Sequence, residues 1–158
     1  MIENYLKILE ESLQKKLTVL DEIIAYNKEQ EKLLKKEDVS LDELDANMSL
    51  KDGLIQKLLK LDEGFEMLYE RIREQLLGNK DAYKSQIQSL QQLISQVTEK
   101  SVSIQAQEAR NKKLVEYYFA REKEQLKQGR QASKAAYDYY KSMSNTGMVP
   151  PQIMDQKK

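Results

Sequence analysis

The sequence contains no cysteine, no histidine and no tryptophan, and its two prolines stand side by side at 150 and 151. Without cysteine the chain can form no disulfide bond and no thiolate, which fits a reducing compartment. Without histidine it lacks the commonest general base and metal ligand. Glycine is also scarce, with five residues among 158, whereas a third of the chain is charged. This composition is typical of long, solvated helices with narrow apolar seams.

Catalytic motifs are missing as well. A di-metal carboxylate bundle needs Glu-x-x-His on two of its helices, which a chain without histidine cannot supply. No glycine-rich phosphate loop occurs. Neighbouring acids such as Glu10 and Glu11 are best interpreted as solvated positions on polar helix faces. We therefore predict that the chain is not an enzyme and that it binds no cofactor and no metal.

Targeting and membrane signals are also missing. The first residues, MIENYLKILEESLQ, include three glutamates and no uninterrupted apolar core, so they do not form a signal peptide. No stretch approaches the 18 consecutive apolar residues expected of a membrane-spanning helix. We predict a cytoplasmic protein without membrane insertion.

The first 36 residues carry one apolar stripe. Leucine and isoleucine recur at steps of mostly three and four: Ile2, Leu6, Leu9, Leu13, Leu17, Leu20, Ile24 and Leu34. This period predicts an amphipathic helix over about 2–36. The step of four from Leu13 to Leu17 resembles a stutter in a coiled coil. Asn27 interrupts the stripe near its end.

A capping box marks the start of the second helix. Ser40 and Glu43 stand three residues apart ahead of a new apolar pattern, so the serine hydroxyl can accept from a backbone amide while the glutamate reaches back. The pattern runs through Leu41, Leu44, Met48, Ile55, Leu58, Leu61, Phe65, Leu68, Ile72 and Leu76, with Lys51 on the seam. We predict a helix over about 41–77.

Turn residues follow that helix. Gly78 is expected to adopt the left-handed conformation after the last helical turn, and either Asn79 or Asp81 can cap the third helix. The third pattern covers about 81–143, with a break near Gly129. Residues 144–158 include Gly147 and the proline pair, which predicts a flexible tail.

Together these patterns predict an all-α protein, an elongated antiparallel three-helix bundle or coiled coil with an over-long C-terminal helix. Residues 1–143 would form a single helical domain. Short connections favour antiparallel neighbours, and we expect the third helix to pack along the other two through about Gln107. Beyond Gln107 the third helix should be mobile, self-associated or bound to a partner.

Charge is unevenly distributed although the chain is neutral overall. Residues 37–80 carry eleven acids and six bases, whereas residues 81–158 carry eight acids and thirteen bases. We expect the acidic second helix and the basic third helix to attract each other when packed side by side. Acids such as Glu116 and Glu122 are interleaved with the bases of the third helix, so we predict no binding to nucleic acid.

Tyrosines concentrate in the last part of the chain. Five of the nine lie within 24 residues: Tyr117, Tyr118, Tyr137, Tyr139 and Tyr140. Tyrosine combines apolar area with a polar tip, which suits surfaces that alternate between water and a partner. Because adjacent tyrosines on a helix point about 100° apart, the last three cannot all face one seam. These residues either bind a partner, cover the bundle end or seal a homodimer.

The chain resembles the FlgN-type flagellar export chaperones, most closely those of Gram-positive bacteria. The resemblance covers the three-helix layout, the segment Asn111-Lys112-Lys113-Leu114-Val115 and the C-terminal segment Met154-Asp155-Gln156-Lys157-Lys158. It implies a cytoplasmic chaperone that binds C-terminal segments of hook–filament junction proteins, prevents their premature assembly and delivers them to the flagellar export gate.

The resemblance also implies where the partners bind. Positions matching the family's substrate-binding part of the last helix are Leu114, Val115, Tyr118, Phe119 and Leu126. The tyrosines matched to the export gate are Tyr137, Tyr139 and Tyr140. The alternative is a structural coiled-coil protein that acts through homodimerisation of its third helix.

Overall fold

The structure is a computed structural model that describes residues 1–126, 139, 141 and 142. It contains the α-helices α1 (Ile2–Lys35), α2 (Leu41–Gly78) and α3 (Lys84–Leu126), and the described residues include no strand. The prediction of an all-α three-helix bundle is confirmed. None of the described helices has both the length and the apolar character needed to cross a membrane.

Local signals set the boundary between α1 and α2. The chain becomes extended at Lys36, and Ser40 caps α2 because its hydroxyl accepts a hydrogen bond of 3.3 Å from the Glu43 amide. The Glu43 carboxylate lies 3.8 Å from Lys36 Nζ, so it pairs with the preceding helix end. The serine half of the predicted capping box is confirmed.

The boundary between α2 and α3 differs from the prediction. Gly78 is the last residue of α2, and it does not adopt the left-handed conformation that we expected there. Asn79 follows the helix and its side-chain amide donates to the Gln75 carbonyl at 2.8 Å. The Asn79 carbonyl accepts from the amides of the next turn. Asn79 therefore stabilises the end of α2, and α3 begins at Lys84 rather than at 81.

Helix α1 is the central element of the bundle. It packs against both other helices, while α2 and α3 approach each other much less closely. The Lys16–Asp62 and Gln30–Met48 contacts show that α1 and α2 run in opposite directions. Contacts from Glu10 to Ser89 and from Asp21 to Lys100 show that α1 and α3 run in the same direction.

The buried positions of each helix alternate at steps of three and four, as in a heptad repeat. In α1 this set is Leu6, Leu9, Leu13, Lys16, Leu20, Ile23, Asn27, Gln30 and Leu34. No stutter is present, because Lys16 rather than Leu17 continues the seam. Similarly, Tyr69 is buried in α2 where Leu68 was predicted, and Ser101 is buried in α3 whereas Val102 is exposed.

The predicted attraction between the acidic α2 and the basic α3 is not how these helices associate. An ion pair joins them, but its lysine, Lys51, belongs to the acidic helix and its carboxylate, Glu108, to the basic one. Other ion pairs connect α1 to each neighbour, at Lys16–Asp62 and Asp21–Lys100. The pairing of helices is therefore set by particular buried and half-buried side chains rather than by net charge.

The core of the bundle continues beyond Gln107, where we expected α3 to leave it. Glu108, Asn111, Val115 and Tyr118 are all buried, and they keep the heptad spacing. Two of these side chains are polar, which explains why the apolar pattern alone indicated an earlier end.

Tyr139 shows that the predicted third pattern, 81–143, is not one unbroken straight helix. A straight helix would separate Tyr139 from Glu108, 31 residues earlier, by about 46 Å. Instead the Tyr139 hydroxyl donates a hydrogen bond to the Glu108 carboxylate. A single straight helix from Lys84 through Tyr139 is therefore excluded. The predicted break near Gly129 and the predicted tail lie outside the described residues.

Candidate partner-binding surface and the buried polar layer

The rod end is the level of the bundle where the α1–α2 connection meets residues 114–122 of α3. Leu114 and Phe119 are half-buried and pack against the core, whereas Val115 and Tyr118 are buried. The rings of Tyr118 and Phe119 have their centroids 5.2 Å apart, and the Tyr118 hydroxyl donates to Glu122 at 3.0 Å. Four of the predicted partner-binding residues thus lie together, with two of them covered by their own chain.

A pocket of about 290 Å³ opens at the rod end. It is lined by Glu37, Asp38, Val39 and Leu41 of the α1–α2 connection and by Tyr118, Arg121 and Glu122 of α3. Three carboxylates stand against one guanidinium, so the pocket favours a group that carries positive charge. Its floor combines an aromatic ring with two aliphatic side chains, which can accommodate an apolar group.

Tyr117 is the exposed aromatic of the rod end. Its side chain is 63% exposed, and the Arg121 guanidinium lies 5.7 Å from its ring centroid. A large exposed aromatic ring beside a cation is typical of surfaces that bind other proteins. The two adjacent tyrosines therefore have different environments: Tyr118 packs in the bundle and Tyr117 faces solvent.

The remaining predicted site residues are elsewhere. Leu126 is the last described residue of α3, and its side chain is outside the described part of the structure, as are Tyr137 and Tyr140. Tyr139 is fully buried, with 0% exposure, and it lies at the level of Lys51 and Glu108 rather than at the rod end. As it stands, Tyr139 is not accessible to an export gate.

The most unusual feature of the core is a buried polar layer, which we define as Gln30, Lys51, Glu108, Asn111 and Tyr139. Lys51 Nζ donates to Gln30 Oε1 and lies 3.3 Å from Glu108 Oε1. The same ammonium lies 4.2 Å from the centroid of the Tyr139 ring. Asn111 donates to Gln30 at 3.3 Å and to the Asn27 carbonyl at 2.9 Å. Side chains from all three helices are thus joined in one network.

Burial sets the electrostatics of the buried polar layer. The side chains of Lys51 and Glu108 are 0% and 8% exposed. Loss of hydration lowers the pKa of the Lys51 ammonium to about 8, although the Glu108 carboxylate acts in the opposite direction. A buried ion pair of this kind contributes little net stability, but removing one partner leaves an uncompensated charge and is costly.

The sequence carried a partial signal for this layer. Lys51 falls on the α2 seam and Asn27 falls on the α1 seam, and both were noted as interruptions of apolar stripes. We missed Gln30, Glu108 and Asn111 as core residues because polar side chains are expected on the surface. If the heptad spacing of three and four residues is continued through polar positions, it identifies all three as core residues.

The amine and carboxylate of the buried polar layer are closed off from solvent. Among the described residues, no group of three or more acidic side chains is placed to hold a metal ion.

No family model matches the chain, and no match was found among curated proteins or solved structures. Membership of the FlgN-type family therefore stays a prediction from the residues quoted above.

Proposed function

We propose that this protein is a cytoplasmic flagellar export chaperone of the FlgN type. It binds C-terminal segments of hook–filament junction proteins, prevents their premature assembly and delivers them to the export gate. The observation that carries the proposal is the rod end, where apolar side chains, an exposed tyrosine and a concave acidic pocket occur together. The proposal needs no catalytic group, cofactor or metal.

The geometry of the rod end favours a helical partner segment. Leu114 and Phe119 present apolar area that their own bundle covers only in part, and Tyr117 adds an exposed ring. An amphipathic helix could place its apolar face on these side chains. A lysine or arginine at its end would complement the carboxylates of Glu37 and Asp38 in the pocket.

Homodimerisation of α3 is the alternative. Tyr118 is already buried within its own chain, so a second copy would gain little apolar contact there and would have to use Tyr117. Sedimentation at low micromolar concentration separates the two functions. A tight dimer that is lost in the Tyr117→Ala variant would favour the structural coiled coil.

Calorimetric titration of the chain with C-terminal peptides of junction proteins tests the chaperone function. We expect binding at or below tens of micromolar, and we expect the double variant Leu114→Ala/Phe119→Ala to weaken it at least tenfold, because apolar anchors dominate such interfaces. Leu77→Ala is the matched control, since Leu77 is another partly exposed leucine at the opposite end of the rod. No binding at tens of micromolar by the folded chain would refute the chaperone function.

A further inference from the structure

Both the hydroxyl and the aromatic ring of Tyr139 make specific contacts. Its hydroxyl donates to Glu108 Oε2, while its ring face receives the Lys51 ammonium at 4.2 Å from the centroid. Glu108 Oε1 in turn lies 3.3 Å from Lys51 Nζ. The cation–carboxylate pair therefore matches a phenol specifically: the negative ring face meets the cation and the hydroxyl meets the anion.

The Tyr139 ring lies between two helices that are not in close contact. Lys51 belongs to α2 and Glu108 to α3, and these two helices approach each other much less closely than either approaches α1. Tyr139 touches one residue from each, and it is fully buried there. Its ring therefore fills part of the space that the packing of α2 and α3 on α1 leaves open.

The positions that flank Lys51 and Glu108 on their helix seams are aliphatic and buried: Leu44 and Ile55 in α2, and Ile104 and Val115 in α3. Gln30 and Asn111 hold Lys51 and the α1–α3 contact by their own hydrogen bonds. Tyr139 comes instead from the part of the chain after α3. Removing the ring should therefore leave a shaped space rather than unfold the rod.

The surrounding polar groups indicate a layer built for recognition rather than for stability. The side-chain oxygens Asn27 Oδ1, Asn47 Oδ1 and Asp52 Oδ1 are buried, and no residue in the described part of the chain donates a hydrogen bond to them. All three belong to residues at or within about one turn of this level of the bundle. Buried acceptors without donors lower stability, and so does a desolvated ion pair. Aliphatic side chains at these positions would give a more stable rod but no selectivity for a phenol.

We infer that Lys51 and Glu108, in the space between α2 and α3, form a binding site for para-substituted phenols. Tyr139 of the same chain occupies this phenol site. Its ligand class is the tyrosine side chain, because a ring without a hydroxyl would take from Glu108 Oε2 the donor that the Tyr139 hydroxyl supplies. The phenol site is separate from the rod end, so it does not rest on the proposed chaperone function.

The reactivity of Lys51 with an amine-acylating ester, measured site by site by mass spectrometry, tests the phenol site in the full chain. In the wild type we expect Lys51 to be protected, because its side chain is fully buried. In Tyr139→Ala we expect acylation of Lys51 to accelerate at least tenfold. Millimolar p-cresol should restore protection, since a cavity made in a protein core by truncating a side chain can bind a small aromatic molecule. Toluene should restore it less, because it lacks the hydroxyl.

Two internal controls keep this experiment decisive. Lys16 is buried in a different layer, beside Asp62, and its acylation rate should not change in Tyr139→Ala. Tyr117→Ala removes an exposed tyrosine of α3 and should leave Lys51 protected. If Lys16 accelerates together with Lys51, the substitution has loosened the whole rod and the inference is wrong. It is equally wrong if Lys51 stays protected in Tyr139→Ala, or if p-cresol and toluene act alike.

A second variant covers the case in which Tyr139→Ala fails to fold, as judged by circular dichroism. Tyr139→Phe keeps the ring and loses only the hydroxyl that donates to Glu108. We expect Lys51 to be acylated several-fold faster in this variant, with Lys16 unchanged. Wild-type protection of Lys51 in Tyr139→Phe would show that the hydroxyl is not recognised and would overturn the assignment.

Discussion

At the scale of single residues, Lys51 has the least ordinary environment in the described chain. Its ammonium is buried among a carboxylate, an amide oxygen and an aromatic ring. Burial lowers its pKa to about 8 from the usual 10.5. The free-energy cost of dehydrating the ammonium therefore exceeds its favourable electrostatic interaction with Glu108. As a result, the folded protein releases this proton more easily than the unfolded chain does.

This difference predicts a stability that rises with pH. Between about pH 8 and 10.5 the unfolded chain keeps the Lys51 proton while the folded chain has lost it. Since the unfolded state binds more protons in this window, the free energy of unfolding increases with pH. We expect Lys51 to contribute an increase of about 1–2 kcal/mol between pH 8 and 9.5. Urea denaturation at pH 7.5, 8, 8.5, 9 and 9.5 measures it.

The control is the double variant Lys51→Met/Glu108→Gln, which removes the titrating amine without leaving a buried carboxylate unpaired. Lys16 also has a pKa lowered by burial, and it remains in both proteins. The rise due to Lys51 is therefore the difference between the two pH profiles. Parallel profiles, or a wild-type profile that falls more steeply, would show that the ammonium is not desolvated in the folded state.

At the scale of helices, the apolar pattern was sufficient to predict three helices and most of their ends. The start of α2 followed from Ser40, a local signal that depends on no other part of the chain. The start of α3 was wrong by three residues, because the side chain of Asn79 bonds back to α2 and two capping residues competed in the sequence. Boundaries set by local hydrogen bonds were thus predictable, whereas a choice between two caps was not.

The phase of each helix was harder to predict than its length. The α1 seam passes through Lys16, yet Leu17 beside it is apolar and was the natural choice. Lys16 can be buried because Asp62, 46 residues away, lies 2.5 Å from its ammonium. No local signal reports such a partner. Ser101 is likewise buried on the α3 seam while the apolar Val102 beside it is exposed, and no partner among the described residues explains this choice.

Replacing the Lys16–Asp62 pair by uncharged residues tests this account of the seam. In Asp62→Ala a buried ammonium loses its partner, and we expect the free energy of unfolding to fall by about 1–2 kcal/mol, less than for a fully buried pair because Asp62 is 34% exposed. In Lys16→Leu/Asp62→Leu the seam becomes apolar, and stability should equal or exceed that of the wild type.

The control is Glu31→Ala, which breaks the exposed pair between Glu31 and Lys35. It should change the unfolding free energy by less than about 0.5 kcal/mol. Urea denaturation at pH 7 measures all three variants. A double variant clearly less stable than Asp62→Ala would mean that Lys16 and Asp62 do not occupy the seam.

At the scale of the whole molecule, the two halves of the rod differ. One half has a largely apolar core, and the other contains the buried polar layer and the rod end. In the sequence the site was predicted as one tyrosine-rich stretch. In the structure that stretch separates into three places. Val115 and Tyr118 belong to the core, Tyr117 faces solvent, and Tyr139 fills the phenol site. Composition could indicate that tyrosines matter, but only the heptad phase and the contacts of Tyr139 with Lys51 and Glu108 could assign them.

The central claim about function is that the partner binds at the rod end. This claim concerns one end of the molecule only. Leu114, Phe119 and the pocket beside Tyr118 all lie at the same end as the α1–α2 connection. The opposite end, near Leu6, Ile72 and Leu76, has buried aliphatic side chains, and no binding is proposed for it. A partner should therefore affect one end of the rod and leave the other unchanged.

Nuclear magnetic resonance titration of the isotopically labelled full chain with a junction-protein C-terminal peptide tests this claim most directly. The account predicts that backbone amide shifts change in residues 37–41 and 114–122. Amides near Leu6, Ile72 and Leu76 should keep their positions throughout the titration. Saturable shift changes confined to the opposite end, or no shift changes at millimolar peptide, would contradict it.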